Sequence, residues 1–423
     1  MIIILFVALA VLLVIGAPVA VALAGSSLVY LLAADRIPDI ILIQRMVGGV
    51  DSFPLLAVPF FILAGNLMNV CGVTERIFSF ADSLVGWMRG GLGHVNVGAS
   101  VIFAGMSGAA IADAGGLGAV EIKAMREKGY DVDFAVGITG ASSTVGPIIP
   151  PSLPLVVYGV VAGASIGQLF VAGIVPGLLI AGLLMLMVAV ISHRRGYPIG
   201  ERFSLVRLAS SFFHAALSLL IPVIIVGGIV LGIFTPTESA IAAVGYVLVL
   251  ATLVYRSAGW RQIITVFRET IEMTSVVLLI VAASSIFAWI LTREGVPTAF
   301  ASAVMTVADN PILILILINL ILLVVGCFME TVAAITILTP VLLPLAVQAG
   351  VDPVQFGIIM VLNLMIGLLT PPVGLVLFIL ARVADISFPR AVRATLPFIA
   401  ALLVSLILIT FIPALTLWLP SLI

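Results

Sequence analysis

Two sets of residues have the types and spacing to do chemistry. In the first, Ser107 and Gly108 are followed by Ser142, Ser143, Thr144 and Gly146, and then by Pro150-Pro151. In the second, Gly326, Met329 and Thr331 are followed by Met365, Gly367 and Thr370, and then by Pro371-Pro372. A proline inside a helix removes a backbone donor and clashes with the preceding turn, so a helix reaching either pair must break. In a chain with 63% hydrophobic residues the breaks fall in lipid, where freed carbonyls persist only inside protein or along a wet cavity. Hydroxyl and carbonyl oxygens without a dense carboxylate cluster suit a hard monovalent cation such as sodium, and suit calcium or zinc poorly. Ser and Thr could instead simply pack small or cap the broken ends. Their clustering in two matching sets favours two sodium sites, one in each set.

Helix N-termini at the breaks offer free N–H groups and partial positive charge, a cradle for a carboxylate. A substrate is therefore expected between the two sites, against Ser107, Gly108, Pro150, Pro151, Pro371 and Pro372. Asp113 and Glu330 stand beside the two sets, and an ionisable group at membrane depth is a functional candidate by default. They are expected either to tune the ion sites or to cap helices, Asp113 ahead of Ala114-Gly115-Gly116 and Glu330 ahead of its own second arm.

The elements that must carry these residues follow from composition. Only 9% of the 423 residues are charged, and net charge is −1. An ordinary soluble domain carries roughly 25% charged residues, so a soluble enzyme, a nucleic-acid binder and a disordered scaffold are excluded. No basic run suggests a nucleic-acid partner. Cys71, Cys327 and the scattered His94, His193 and His214 have no metal-ligand spacing. The start lacks a basic n-region and is expected to be a first span, with no ATPase or extramembrane binding domain at either end.

Apolar runs of spanning length lie at 53–71, 168–192, 213–233, 237–255, 272–291 and 395–419, and residues 2–34 are interrupted by Gly16-Ala17-Pro18. Two further stretches, 91–166 and 310–387, are apolar but rich in Gly, Pro, Ser and Thr. Cytoplasmic loops collect Lys and Arg. Placing 89–95 and Lys123, Arg126 and Lys128 on that side makes 91–130 a re-entrant hairpin with its tip near Met106–Asp113. A second hairpin, 310–350, enters from the other face with its tip near Gly326–Thr331. Of the 18 basic residues, all but Arg36, Arg45 and Arg293 then lie inside.

Residues 105–166 align without a gap on 326–387, matching Gly105 with Gly326, Gly146 with Gly367 and Pro150-Pro151 with Pro371-Pro372. The copies enter from opposite faces, so the repeat is inverted, as in many secondary transporters. The expected fold is an all-α polytopic membrane protein with two re-entrant hairpins and two broken helices. Its first repeat is 1–195 (broken helix 133–166), its cytoplasmic linker 196–212, and its second repeat 213–423 (broken helix 353–383). Segments 36–50 and 73–88 read as interfacial helices. In the latter, Val73, Ile77, Phe78, Leu84 and Val85 form one face. Thr235-Pro236-Thr237-Glu238 reads as a capping box. Asp131 and Asp352 suggest an intramembrane aspartyl protease, but they fall at opposite membrane edges and cannot share a proton. Helix capping suits them better. A passive channel would need no paired broken helices.

Gly105-Met-Ser-Gly-Ala-Ala-Ile-Ala-Asp113, Ser142-Ser-Thr-Val-Gly-Pro-Ile-Ile-Pro-Pro151, Thr235-Pro-Thr-Glu-Ser-Ala240 and Leu369-Thr-Pro-Pro-Val-Gly374 resemble the large membrane subunit of TRAP transporters, the DctM-like family. The resemblance covers nearly the whole chain. It implies sodium-driven import of an organic acid by an elevator motion in the bacterial inner membrane. The acid would be a carboxylate such as a C4-dicarboxylate or sialic acid, handed over by a periplasmic binding protein. It also implies a small membrane subunit of about four spans, which is expected to be encoded apart. A stand-alone sodium/divalent-anion symporter of the citrate or dicarboxylate type shares the inverted hairpins and is the alternative.

The charge pattern makes a direct prediction. Lys128→Cys should react with a membrane-impermeant thiol reagent only from the cytoplasmic side, and Gly350→Cys only from the periplasmic side. Labelling of both from one side would overturn the inverted repeat.

Overall fold

The structure, a computed structural model, describes residues 1–34, 38, 40–108, 110–200, 202–307 and 310–422, with backbone only for 105–107, 112 and 307. Arg36, expected on the outer side, and the side chain of Ser107 therefore lie outside the described residues. Among those residues the chain is helical throughout, with one isolated antiparallel bridge between Arg89 and Ile199. Seven helices among the described residues are long and apolar enough to cross a membrane.

The opening run is two helices, α1 (Ile2–Val14) and α2 (Val19–Ala34), parted at Gly16, whose φ of 86° a side chain would resist. Then come α3 (Ile40–Val50), α4 (Ala57–Val70) and α5 (Val73–Val85). Helix α5 is amphipathic as expected, but Leu84 is exposed, and Val73, Thr74, Ile77 and Ala81 form the buried face. The first hairpin comprises α6 (Gly91–Ser107), α7 (Ala110–Gly115) and α8 (Leu117–Glu127). The first broken helix is α9 (Val132–Ser143) and α10 (Leu153–Ala162), and α11 (Ile166–Arg195) closes the half.

The span expected at 213–233 begins earlier, as α12 (Leu205–Pro222), a π-helical turn (Val223–Gly227) and the single turn α13 (Gly228–Val230). Helix α14 (Pro236–Val249) starts with the expected capping box. The Glu238 amide donates to Thr235 Oγ1 (3.3 Å), and the Thr235 amide donates to Glu238 Oε2 (2.8 Å). Next come α15 (Trp260–Arg293) and α16 (Val296–Val307). The second hairpin is α17 (Pro311–Gly326) and α18 (Thr331–Gln348), and the second broken helix is α19 (Pro353–Gly367) and α20 (Leu375–Ala384). Helix α21 (Phe388–Phe411) matches α11 in order.

Packing follows the duplication. Helix α9 lies on α21 and α19 on α11, while α10 rests on the second hairpin at α18 and α20 on the first at α7. The long α15 packs against α2, α3 and α4 on one side and α18 on the other, where the Thr336 hydroxyl donates to Ser284 Oγ (2.7 Å). Two hairpin-and-broken-helix units thus interlock, with α15 joining α2, α3 and α4 to the second hairpin.

Candidate functional site

Each broken helix ends where a hairpin tip touches it, and glycine permits the contact. In the first half α9 stops at Ser143, residues 144–152 leave the helix path, and Pro150-Pro151 is a cis peptide. Ser152 restarts the helix by accepting from the Leu155 amide (3.2 Å). Gly108, with φ 59°, lies so close that a Cβ there would come within 2.7 Å of the Pro151 carbonyl oxygen. A Cβ on Gly146 would come within 2.5 Å of Asp113 Oδ2. Hairpin and break thus meet through Gly108 and Asp113 on one side and Gly146 and Pro151 on the other.

The second half repeats the contact at backbone distance. A Cβ on Gly367 would stand 2.4 Å from the carbonyl carbon of Gly326 and 2.5 Å from its Cα. Beyond Gly367, the Thr370 hydroxyl lies 2.9 Å from Gly367 O and 2.9 Å from Cys327 Sγ. Pro371-Pro372 is again cis. The halves differ in exposure: Pro150 and Pro151 are buried, whereas Pro371 and Pro372 are exposed and Thr370 is half-buried.

Most of the residues singled out in the sequence are placed at these two contacts. Ser142, Ser143 and Thr144 are buried in the last turn of α9. The hydroxyls of Ser143 and Thr144 donate to Gly140 O (2.8 Å) and Ala141 O (2.6 Å). Thr331 opens α18, Met365 is buried in α19, and Met329 is half-buried in the second tip. Asp113 is not an N-cap: it lies inside the short helix α7, buried, with its carboxylate against Gly146. Glu330 is a cap, accepting from the Ala333 amide (3.2 Å). Asp352 caps α19 through the Val354 amide (2.7 Å). Asp131 stands at the cap position of α9 but makes no capping bond. It accepts from Tyr197 Oη (2.7 Å) and Arg195 Nη1 (2.9 Å) instead. These bonds, Tyr197 foremost, hold its carboxyl below the usual carboxylate range.

Other polar groups gave little signal in the sequence. Asn96, Glu121 and Thr139 form a buried cluster with Ser142, and Asn319 pairs with Asn363 in the second half, Asn363 Nδ2 donating at 2.8 Å. Cys327, expected in the second tip and without metal spacing, lies on Thr370. An alignment of the repeats carries a partial hint, since Asn363 occupies the place of Ser142.

Among the described residues no three His, Cys, Asp or Glu side chains gather as a metal cluster. The oxygens at both breaks are hydroxyls and backbone carbonyls, with the carboxyl of Asp113 beside the first break and that of Glu330 capping the second tip. This donor set fits a singly charged hard cation and not a transition metal.

An all-helical polytopic chain of two interlocked, inverted hairpin-and-broken-helix units is a membrane transporter fold. The Alcanivorax borkumensis YdaH transporter shares it, with a TM-score of 0.60 over 88% of this chain and 87% of that one, at 16% identity. Residues 6–415 match the family described as the tripartite ATP-independent periplasmic transporter, DctM component, and the chain belongs to that family. It is 48% identical over 407 residues to the Vibrio cholerae sialic acid TRAP transporter large permease protein SiaM, covering 96% of this chain and 95% of that protein. It is 45% identical over 379 residues to the Haemophilus influenzae sialic acid TRAP transporter permease protein SiaT, covering 90% of this chain and 62% of that longer protein. The chain is thus a multi-pass inner-membrane large permease subunit of a TRAP transporter and not an enzyme.

The Gly326–Gly367 contact has a testable cost. Gly367→Ala forces a methyl group against immobile backbone and should destabilise the protein by about 1–3 kcal/mol, the usual penalty of overpacking. Gly182→Ala, whose added Cβ would meet nothing within 4 Å, is the control and should not. Thermal unfolding in detergent reads the difference; equal midpoints for the two variants would refute the close approach.

Proposed function

We propose that this permease imports an organic anion, a carboxylate such as sialic acid or a C4-dicarboxylate, in symport with sodium. In this reading a periplasmic binding protein delivers the anion, and a separate membrane subunit of about four spans completes the complex. The first ion site is built around Ser107, Gly108, Ser142, Ser143, Thr144 and Gly146. The second is built around Gly326, Met329, Thr331, Met365, Gly367 and Thr370. The anion lies between them at the Pro150-Pro151 and Pro371-Pro372 breaks, held by helix ends and hydroxyls. The paired hairpins and broken helices move together, as an elevator, against the flank that includes α15.

One observation supports this above others: a hairpin tip rests on a helix break twice, each time beside hydroxyl and carbonyl oxygens. The two relatives above, named for sialic acid, favour that substrate. Each sodium charge moved inward supplies about 2.3 kcal/mol per 100 mV of membrane potential, so coupling to two ions would support steep accumulation.

Proteoliposomes containing this chain and its small subunit test the proposal. Uptake of radiolabelled sialic acid should require both an inward sodium gradient and the binding protein. Uptake by this chain alone with sodium would favour the stand-alone symporter instead. Thr370→Leu and Ser143→Leu should each abolish sodium-dependent uptake while the complex still assembles. Wild-type sodium dependence in both would remove these residues from the ion sites.

A further inference from the structure

Three polar residues behind the first break form a chain that ends on Ser142. Asn96 is fully buried on α6, and Glu121 is 1% exposed on α8. Asn96 Nδ2 donates to Glu121 Oε2 (2.6 Å) and to Thr139 Oγ1 (2.7 Å), and the Ser142 hydroxyl donates to Asn96 Oδ1 (2.6 Å). Both ends of the amide are therefore engaged, and the acceptors on its nitrogen side decide which end faces Ser142. In the geometry present Glu121 and Thr139 both accept from the amide nitrogen, which leaves the amide oxygen to face Ser142. A hydroxyl that lends a lone pair to a cation must send its hydrogen elsewhere, and here Asn96 Oδ1 (2.6 Å) is a closer acceptor than the in-helix Thr139 O (3.2 Å).

We infer that Glu121 is a positioning residue for the first ion site: by accepting from Asn96 it fixes the amide that keeps the Ser142 hydrogen turned away from the ion. The inference rests on the sodium reading above. It concerns one half only. In the second repeat the place of Glu121 is taken by Leu342 and that of Ser142 by Asn363, whose Nδ2 donates to Asn319 Oδ1. An amide pair stands there, and no carboxyl occupies the matching position.

The test measures the sodium concentration giving half-maximal uptake in the assembled transporter. Glu121→Leu removes the acceptor and should raise that concentration about tenfold, the scale of one buried hydrogen bond to a charged group. Glu121→Gln keeps a side-chain oxygen for Asn96 and should stay within about twofold of wild type, because the bond geometry survives. Thr139→Val, which removes the second acceptor with little change of shape, should also raise it. Half-saturation by the anion at saturating sodium should not move in any variant. Wild-type sodium response in Glu121→Leu, or a defect in Glu121→Gln equal to that of Glu121→Leu, would overturn the inference. If Glu121→Leu does not assemble, Thr139→Val decides, and an unchanged sodium response there overturns it. Wild-type uptake without any sodium dependence would instead overturn the symport reading itself.

Discussion

The core of this protein depends on backbone approaching backbone where side chains cannot fit. Gly326 lies so close to Gly367 that a methyl group on Gly367 would clash with its backbone, and Gly108 stands in the same relation to Pro151. A helix broken in lipid exposes carbonyl and N–H groups that lipid cannot satisfy. The hairpin tip covers that exposed backbone with protein, and its own exposed end is covered in return. Each break and each tip would be costly alone in lipid; together they shield one another from it. The glycines are what let the surfaces close to this distance.

The rest of the architecture serves this exchange. Each second half-helix, α10 or α20, reaches across to the hairpin of the other repeat, so neither repeat is complete without its counterpart. At one edge, Asp131, Arg195 and Tyr197 tie the start of α9 to the end of α11, and Asp133 meets Arg390 of α21 (2.6 Å). The charged groups are about half exposed, and such ion pairs contribute roughly 0–1 kcal/mol. They fix register more than they add stability.

Much of this was legible in the residues because backbone-determining types carry the message. The Pro-Pro pairs, Gly146 and Gly367 announced where helices must end, and Thr235-Pro236-Thr237-Glu238 announced where one must begin. Side-chain partnerships were less legible, for a physical reason. Asp131 has the type and place of a helix cap, but Arg195 and Tyr197, more than sixty residues away, offer it better partners. Asp113 looked like a cap because glycines follow it, yet α7 begins before it and buries it against Gly146. Glu121 sits in a helix otherwise ordinary for a surface, and only the folded hairpin carries it to Asn96. Periodicity put Leu84 on one face with Val73 and Ile77, yet it is exposed while they are buried, because periodicity fixes spacing but not which arc the neighbours cover.

The unequal burial of the two proline breaks separates the halves of an otherwise duplicated core. Thr370 and Cys327 are partly open to their surroundings, while Ser142, Ser143 and Cys71 are sealed. The later half is thus the more accessible of the two from outside the folded chain. Thiol chemistry at Cys327 would therefore report on one pocket and leave its twin silent, a built-in polarity that the ancestral doubling did not erase.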